Sequence, residues 1–418
     1  MLDKAIERKV SRITDTEMVE LFSLGDVYMS DFVEDGVDGT KVPLTLMLDQ
    51  KSGLVQLKHT APFDDMYRNY WYRSGMNKTM TEELRGIAYK ALSLVKCNVG
   101  DIVLDIGCND GTLLGFYPNH LSRVGFDPAE NLREHSINYA NLIVTGYFTA
   151  PTYFSHLTKR SKIITTIAMF YDLEDPHEFV EDIADTLDKE GLWIVQMSYM
   201  PLMLKQHAFD NCCHEHVSYY SLSAFKYLIK SHNLRVVDVE LNDINGGSFR
   251  VYVRRKDSSD ELFASAPYRD VAKFRINSLL EYERTLNLRY PGTYIAWFKE
   301  LLIIKDQTVG FIKEEKSNGK TIYGYGASTK GNTLLQFYGL DSTLITAIAE
   351  RNPDKYGKRT VGTNILIVSE DEMRKAKPDY LLVLPWHFIS EFKNREREYL
   401  AGGGKFIVPL PKFEVISG

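Results

Sequence analysis

Short apolar runs open the chain. Val42–Leu48 and Leu54–Lys58 have the length and composition of strands, and an acidic stretch around Asp31–Asp38 reads as loop, so residues 1–68 form a small domain. The pattern then changes. Between Thr79 and Val95 the residues Leu84, Ile87, Ala88, Ala91, Leu92 and Leu94 recur at helical spacing and predict one amphipathic helix. Five brief apolar runs follow, Ile102–Ile106, Arg123–Phe126, Leu142–Thr145, Ile163–Phe170 and Leu192–Gln196, separated by helix-like stretches. Such alternation predicts an open parallel sheet covered on both faces. Leu234–Glu240 and Ser248–Arg254 flank the turn Asn245-Gly246-Gly247 as a hairpin, completing a middle domain over residues 69–256. A helical passage from Ala266 to Ser317 leads to four more buried runs, Thr321–Tyr325, Leu344–Ala349, Tyr380–Pro385 and Lys405–Pro409. Residues 257–418 are thus a helical connector and a second, smaller α/β unit.

Composition narrows the function classes. A chain of 418 residues exceeds what one core organises, and its net charge of −6 gives no general attraction for nucleic acid or anionic lipid. No apolar run reaches about 18 residues, the length of a membrane span, and the charged start MLDKAIERKV is unlike a signal peptide, so a cytoplasmic protein is expected. Cys97, Cys108, Cys212 and Cys213 contain no C-x-x-C pair, so neither a disulfide framework nor a zinc knuckle is indicated.

Two glycine-rich turns carry candidate chemistry. The first runs Val103-Leu104-Asp105-Ile106-Gly107-Cys108-Asn109-Asp110-Gly111-Thr112. Its acid precedes the first glycine, which disfavours a pyrophosphate and suits a cationic, amino-bearing ligand such as the amino-acid end of S-adenosylmethionine. Asp127, 22 residues after Asp105, ends the next strand where a carboxylate can accept ribose hydroxyls. Ala168–Pro176 should line the same crevice, with Phe170 against either the adenine or the core. The second turn, Tyr323–Thr333, lacks dinucleotide spacing, yet Ser328, Thr329 and Lys330 at a helix start form a phosphate cradle. Glu350 ends the following strand, and Trp386-His387 follows the one after. A ligand-free domain is the plainer reading of that half.

The densest polar cluster is Asn211-Cys212-Cys213-His214-Glu215-His216-Val217-Ser218-Tyr219-Tyr220-Ser221. It offers a base, an orienting carboxylate and phenolic donors. Zinc is the rival reading, but the two histidines lack the i, i+4 spacing of a metalloprotease helix. A histidine titrating near 6.5 suits proton removal from carbon beside a carbonyl. Tyr70-Trp71-Tyr72-Arg73-Ser74-Gly75, just ahead of the first helix, fits either a cover over the crevice or plain packing.

Together, Tyr72–Asn77, the Asp105–Thr112 turn, Phe170–Pro176, Cys213–His216 with Tyr219-Tyr220, and Gly324–Thr333 resemble the bacterial three-domain C-methyltransferases of nucleotide-linked 4-keto sugars. The resemblance implies a class I methyltransferase Rossmann-like domain, a smaller Rossmann-like C-terminal domain and a small N-terminal domain. It implies S-adenosylmethionine held by Tyr70, Ser74, Asp105, Gly107, Asn109, Gly111, Asp127, Pro128, Phe148 and Phe170. It implies His216 as base, helped by Glu215, Tyr72 and Tyr220. His214, Asp172, Ser328, Thr329, Lys330, Asn332, Glu350, Trp386 and His387 would then meet the nucleotide-linked sugar. A monomer or homodimer without nucleic-acid or membrane partners is expected. The family's N-terminal domain typically binds zinc through two cysteine pairs; here Asp49 and Ser52 stand where the second pair would be, and no cysteine precedes Cys97, so no metal is expected. Two alternatives stay open, a sugar O- or N-methyltransferase and a non-catalytic nucleotide-sugar-binding protein.

Overall fold

The structure, a computed structural model, describes residues 5–37, 39–61 and 72–418. Tyr70, Trp71 and the expected boundary near residue 68 lie outside them. Among the described residues the main sheets have four, seven and six strands.

Strands β1 (Val19–Tyr28), β2 (Lys41–Leu48) and β3 (Val55–Leu57) form an antiparallel meander. Helix α1 (Lys78–Leu94) starts on Asn77, whose side chain accepts the Met80 amide, and buries Leu84, Ile87, Ala88 and Ala91 on one face. The middle domain then threads β4 (Ile102–Ile106), β5 (Ser122–Asp127), β6 (Leu142–Thr145), β7 (Ser161–Ile167) and β8 (Leu187–Ser198), all parallel. The predicted run to Phe170 stops at Ile167 because Ala168 turns the chain with φ 56°, and residues Phe170–Asp172 form a single 3-10 turn. Strand β9 (Ser218–Tyr219) leaves this domain and pairs with β3, giving the first sheet the order β9-β3-β2-β1. The hairpin β10 (Leu234–Asn242) and β11 (Ser248–Arg255) closes the central sheet antiparallel, in the order β10-β11-β8-β7-β4-β5-β6. Its order reverses between β4 and β7, and the crevice beyond their carboxyl ends is where such sheets bind ligands.

The connector is two helices, α2 (Ala266–Leu286) and α3 (Pro291–Ser317), separated at Asn287, which adopts a left-handed conformation, and restarted by Pro291. The last sheet is β14-β13-β12-β15-β16-β17, from β12 (Ile322–Tyr325), β13 (Ile348–Glu350), β14 (Ile367–Ser369), β15 (Tyr380–Val383), β16 (Lys405–Val408) and β17 (Glu414–Ile416). It also has a switch point, at β12.

One apolar interior runs from the N-terminal sheet into the C-terminal domain, uniting Leu44, Leu46, Trp297, Leu301, Leu335 and Leu382. Phe22 stacks on Phe298 with ring centroids 4.4 Å apart. Gln336 extends the seam by pairing with both backbone groups of Tyr28, at 2.8 and 3.1 Å. At the other end of the N-terminal domain, the Asp49 carboxylate accepts hydroxyls from Ser11 at 2.9 Å, Thr14 at 2.8 Å and Ser52 at 2.5 Å, and the Lys51 amide at 2.9 Å. Ser11 with Thr14 and Asp49 with Ser52 share the i, i+3 spacing of paired knuckle ligands, and a hydrogen-bonded carboxylate joins the two turns. Among the described residues no group of three or more His, Cys, Asp or Glu is arranged to hold a metal ion.

Candidate active site

A cavity of about 730 Å³ spans the gap between the middle and C-terminal domains, and both glycine-rich turns open into it. In the first turn Gly107 has φ 73°, and a Cβ there would meet the Met169 side chain at 3.1 Å. Asp127 accepts the amides of Asn109 at 2.7 Å and Ala129 at 2.8 Å, which fixes the turn and leaves lone pairs facing the cavity. Asp105, beneath it, accepts the Thr165 hydroxyl at 2.6 Å. Burial, reinforced by Asp127, pushes its carboxyl up to about 8. Such a group gains most from a cationic neighbour. Pro128 and Phe148 line the same wall, Phe148 wedged edge-on against Phe126 and Phe179.

Tyr72 and Ser74 close over this turn. The Ser74 amide donates to the Asn109 side chain at 3.0 Å, the Asn109 amide group donates to the Tyr72 carbonyl at 3.0 Å, and the Gly75 amide donates to Asp110 at 2.8 Å. A backbone cradle under Gly107, two carboxyls at successive strand ends and this clipped cover fit an adenosyl group bearing an amino-acid tail.

The base candidate sits at the centre. His216 Nδ1–H donates to the Asn211 carbonyl at 2.8 Å, which leaves Nε2 as the unprotonated nitrogen. Tyr171 packs on the ring at 4.2 Å between centroids. Burial first, and the Lys330 ammonium second, hold His216 down at about 3, so the imidazole is neutral. Glu215 lines the cavity beside it, but the Cys213 thiol is its hydrogen-bond partner and burial raises its carboxyl. The Asn211 main chain is the group that orients the ring.

From the C-terminal domain, Ser328 accepts the Gly331 amide at 3.0 Å, starting helix α4 (Thr329–Tyr338) at the cavity wall. Thr329 lines the same wall, and Lys330 crosses to the Asn211 side chain at 2.5 Å. Glu350 binds the Ala327 amide at 2.7 Å and the Asn352 amide at 2.9 Å, and its side chain borders the cavity with Asp172 of the middle domain. His387 joins them, held down at about 3 by burial and by Lys330.

Six expected site residues stand outside the cavity lining. Phe170 and Tyr220 are fully buried against each other and Phe225, because the 3-10 turn after Ala168 points Phe170 into the core and Tyr171 outward. Gly111 serves the turn itself, since a Cβ would meet the Ser136 backbone at 2.9 Å. His214 Nε2 donates to the Val42 carbonyl at 2.9 Å, within the N-terminal sheet contact. Asn332 donates to the Asp31 carbonyl at 3.0 Å, and Trp386 to Asp210 at 3.0 Å. Tyr171 and Asn211 fall inside segments the sequence marks without standing out in them, and Lys355 lies outside every marked segment. Lys355 is buried and donates to the Ala327 carbonyl at 2.8 Å beneath the second turn. A buried lysine at the end of a 3-10 turn (Pro353–Lys355) has no local pattern, and a main-chain acceptor such as Asn211 has none at all.

Residues 76–239 match the methyltransferase domain family, and residues 243–411 match the family described as the C-methyltransferase C-terminal domain. The C-methyltransferase NovU of Streptomyces niveus is 30% identical over 388 residues, covering 92% of this chain and 90% of its own. Among solved structures, magnesium protoporphyrin IX methyltransferase from Synechocystis PCC 6803 with bound SAM is 11% identical, covering 42% of this chain and 79% of its own, with a TM-score of 0.32. The N-methyltransferase NodS of Bradyrhizobium japonicum WM9 is 10% identical, covering 43% and 95%, with a TM-score of 0.33. With both family matches in sequence order and a relative aligned over nearly the full length, the chain belongs to the C-methyltransferase family and is an S-adenosylmethionine-dependent enzyme.

Proposed function

We propose that the enzyme methylates the carbon next to the ketone of a nucleotide-linked keto-sugar, with His216 as the base. The observation that carries this reading is the shared cavity, which joins the acidic donor turn, a neutral imidazole and a helix start bearing Ser328, Thr329 and Lys330. Bound S-adenosylmethionine supplies an electrophilic methyl on a sulfonium. Asp105 and Asp127 hold its amino-acid end and ribose. The second turn and Lys330 take the nucleotide phosphates. His216 Nε2 removes the proton from the carbon beside the carbonyl, which is acidic enough only because that carbonyl delocalises the charge. Tyr72 offers a donor to the enolate oxygen, and an anionic substrate beside the ring raises its basicity as the proton moves. The fixed approach of carbanionic carbon to methyl supplies much of the acceleration.

The test is to incubate the enzyme with a panel of dTDP-, GDP-, CDP- and UDP-linked keto-sugars and S-adenosylmethionine carrying a ¹³C methyl. Carbon NMR of the product should place the label on carbon. His216→Asn should lose turnover while binding S-adenosylmethionine as the parent does. A label bonded to oxygen or nitrogen, or full turnover by His216→Asn, overturns the reading.

A further inference from the structure

The N-terminal domain borders the cavity through Ser30, and its sheet takes in the chain just beyond His216. β9 begins two residues after His216 and is hydrogen-bonded into the N-terminal sheet, with Ser218 opposite Gln56 and Tyr219 opposite Val55. The Val217 carbonyl accepts the Leu57 amide at 2.9 Å. One guanidinium gathers this corner. Arg12 has a fully buried side chain and donates to the Leu57 carbonyl at 3.1 Å and the Thr60 hydroxyl at 2.6 Å. It also reaches Glu174 Oε2 at 2.9 Å and comes within 3.5 Å of the Val217 carbonyl. Glu174 ends the segment that carries Tyr171, the ring on His216, and Asp172, and its own carboxylate borders the cavity. It accepts the Thr60 hydroxyl at 2.8 Å and also pairs with Arg8.

We infer that Arg12 is a positioning residue, whose pair with Glu174 sets the placement of the Tyr171–Asp172 turn and of the chain leaving His216. The inference rests on the reading of His216 as base. A buried guanidinium keeps its position only with its carboxylate and carbonyl acceptors in place. These acceptors lie on three segments: the end of β3, the 170–175 turn and the residue after the base. Arg12 is itself anchored, for its amide donates to Gln56 at 2.8 Å and its neighbour Ser11 donates to Asp49 at 2.9 Å. The carboxylate knot at Asp49 therefore does more than tie two turns; it anchors the arm that aligns the active-site wall. A base misplaced by a fraction of an ångström loses rate and not donor affinity.

Arg12→Met, Arg12→Lys, Glu174→Gln and the double variant Arg12→Met/Glu174→Gln test this in the full chain, with His216→Asn alongside. Expected is a fall in kcat of about tenfold to a hundredfold for Arg12→Met, with calorimetric S-adenosylmethionine affinity within about twofold of the parent. Arg12→Lys should recover part of the rate, and the double variant should be no worse than the poorer single, since both changes break one pair. In histidine-labelled protein the His216 ring resonances should move in Arg12→Met, a change that general loss of stability does not produce in a folded protein. Unchanged kcat and ring resonances in Arg12→Met and Glu174→Gln, with His216→Asn inactive, overturn the positioning role alone. Activity in His216→Asn overturns the base assignment on which it rests.

Discussion

Asp105 carries the clearest residue-scale consequence. A carboxyl at about 8 is mostly protonated at pH 7, and a cationic donor beside it favours the ionised form. Binding S-adenosylmethionine at pH 7 should therefore release close to one proton, read by calorimetry in buffers of differing ionisation enthalpy. Asp105→Asn should abolish that release and weaken binding about tenfold, the effect of losing one charged hydrogen bond. Proton release undiminished in Asp105→Asn would assign it to another group. Asp105 and its partner Asp127 were legible in the sequence, because a strand–turn–helix pattern fixes where a carboxylate at the strand end must point. Phe170 and Tyr171 were not. Two adjacent aromatics exchange core and cavity when one backbone dihedral changes sign, and nothing in the composition of Ala168 announces φ 56°. The partner of His216 was equally hidden, because Asn211 orients the ring with its main chain, which every residue possesses.

At the scale of elements, the strands of both α/β sheets could be read from apolar runs bounded by glycine and acids. The ten-residue β1 (Val19–Tyr28) escaped because two register shifts break its alternation, and with it went the short strands β14 and β17, of three residues each, and β9, of two. A two-residue strand has no periodicity, and its partner β3 lies some 160 residues earlier, so only the folded chain brings them together. The Asp49 knot belongs to this scale as well. Burial raises the Asp49 carboxyl, but the Ser52, Thr14 and Ser11 hydroxyls and the Lys51 amide outweigh it and keep it low. Asp49→Ala should leave those buried donors without an acceptor and cost about 2–3 kcal/mol of stability, measured by urea unfolding. A loss below about 0.5 kcal/mol, the range of ordinary surface changes, would mean the knot is ornamental. Asp49→Asn should lie between the two, since it keeps one oxygen.

For the whole molecule, buried groups pull the response to acid in opposite directions: Asp105, up at about 8, takes a proton in the native state that the unfolded chain does not, while three buried imidazoles refuse one. Burial holds His214 at about 4 and His216 and His387 at about 3, while in the unfolded chain all three titrate near the ordinary value of about 6.5. Below pH 6.5 the unfolded state takes up protons that the native state refuses. The contribution of these rings is thus complete above that pH and falls as the solution is acidified, by about 1.4 kcal/mol per pH unit for each ring, until the native values are reached, and Asp105 opposes it over the same range. Urea unfolding of the parent and His214→Gln between pH 7 and pH 4.5 isolates one ring, and below pH 6.5 the variant should gain on the parent by about 1.4 kcal/mol per pH unit. A difference that stays level over that range would show the His214 ring to be solvated.

The seam in which Phe22 lies on Phe298 and Gln336 clasps Tyr28 reaches beyond stability. Lobes fused through a common oily interior cannot swing apart as freely as lobes on a polar hinge. Because the same interior takes in Met203 and Phe209 of the middle domain, both walls of the cavity belong to one packed body, and their separation is set by packing and not by a hinge.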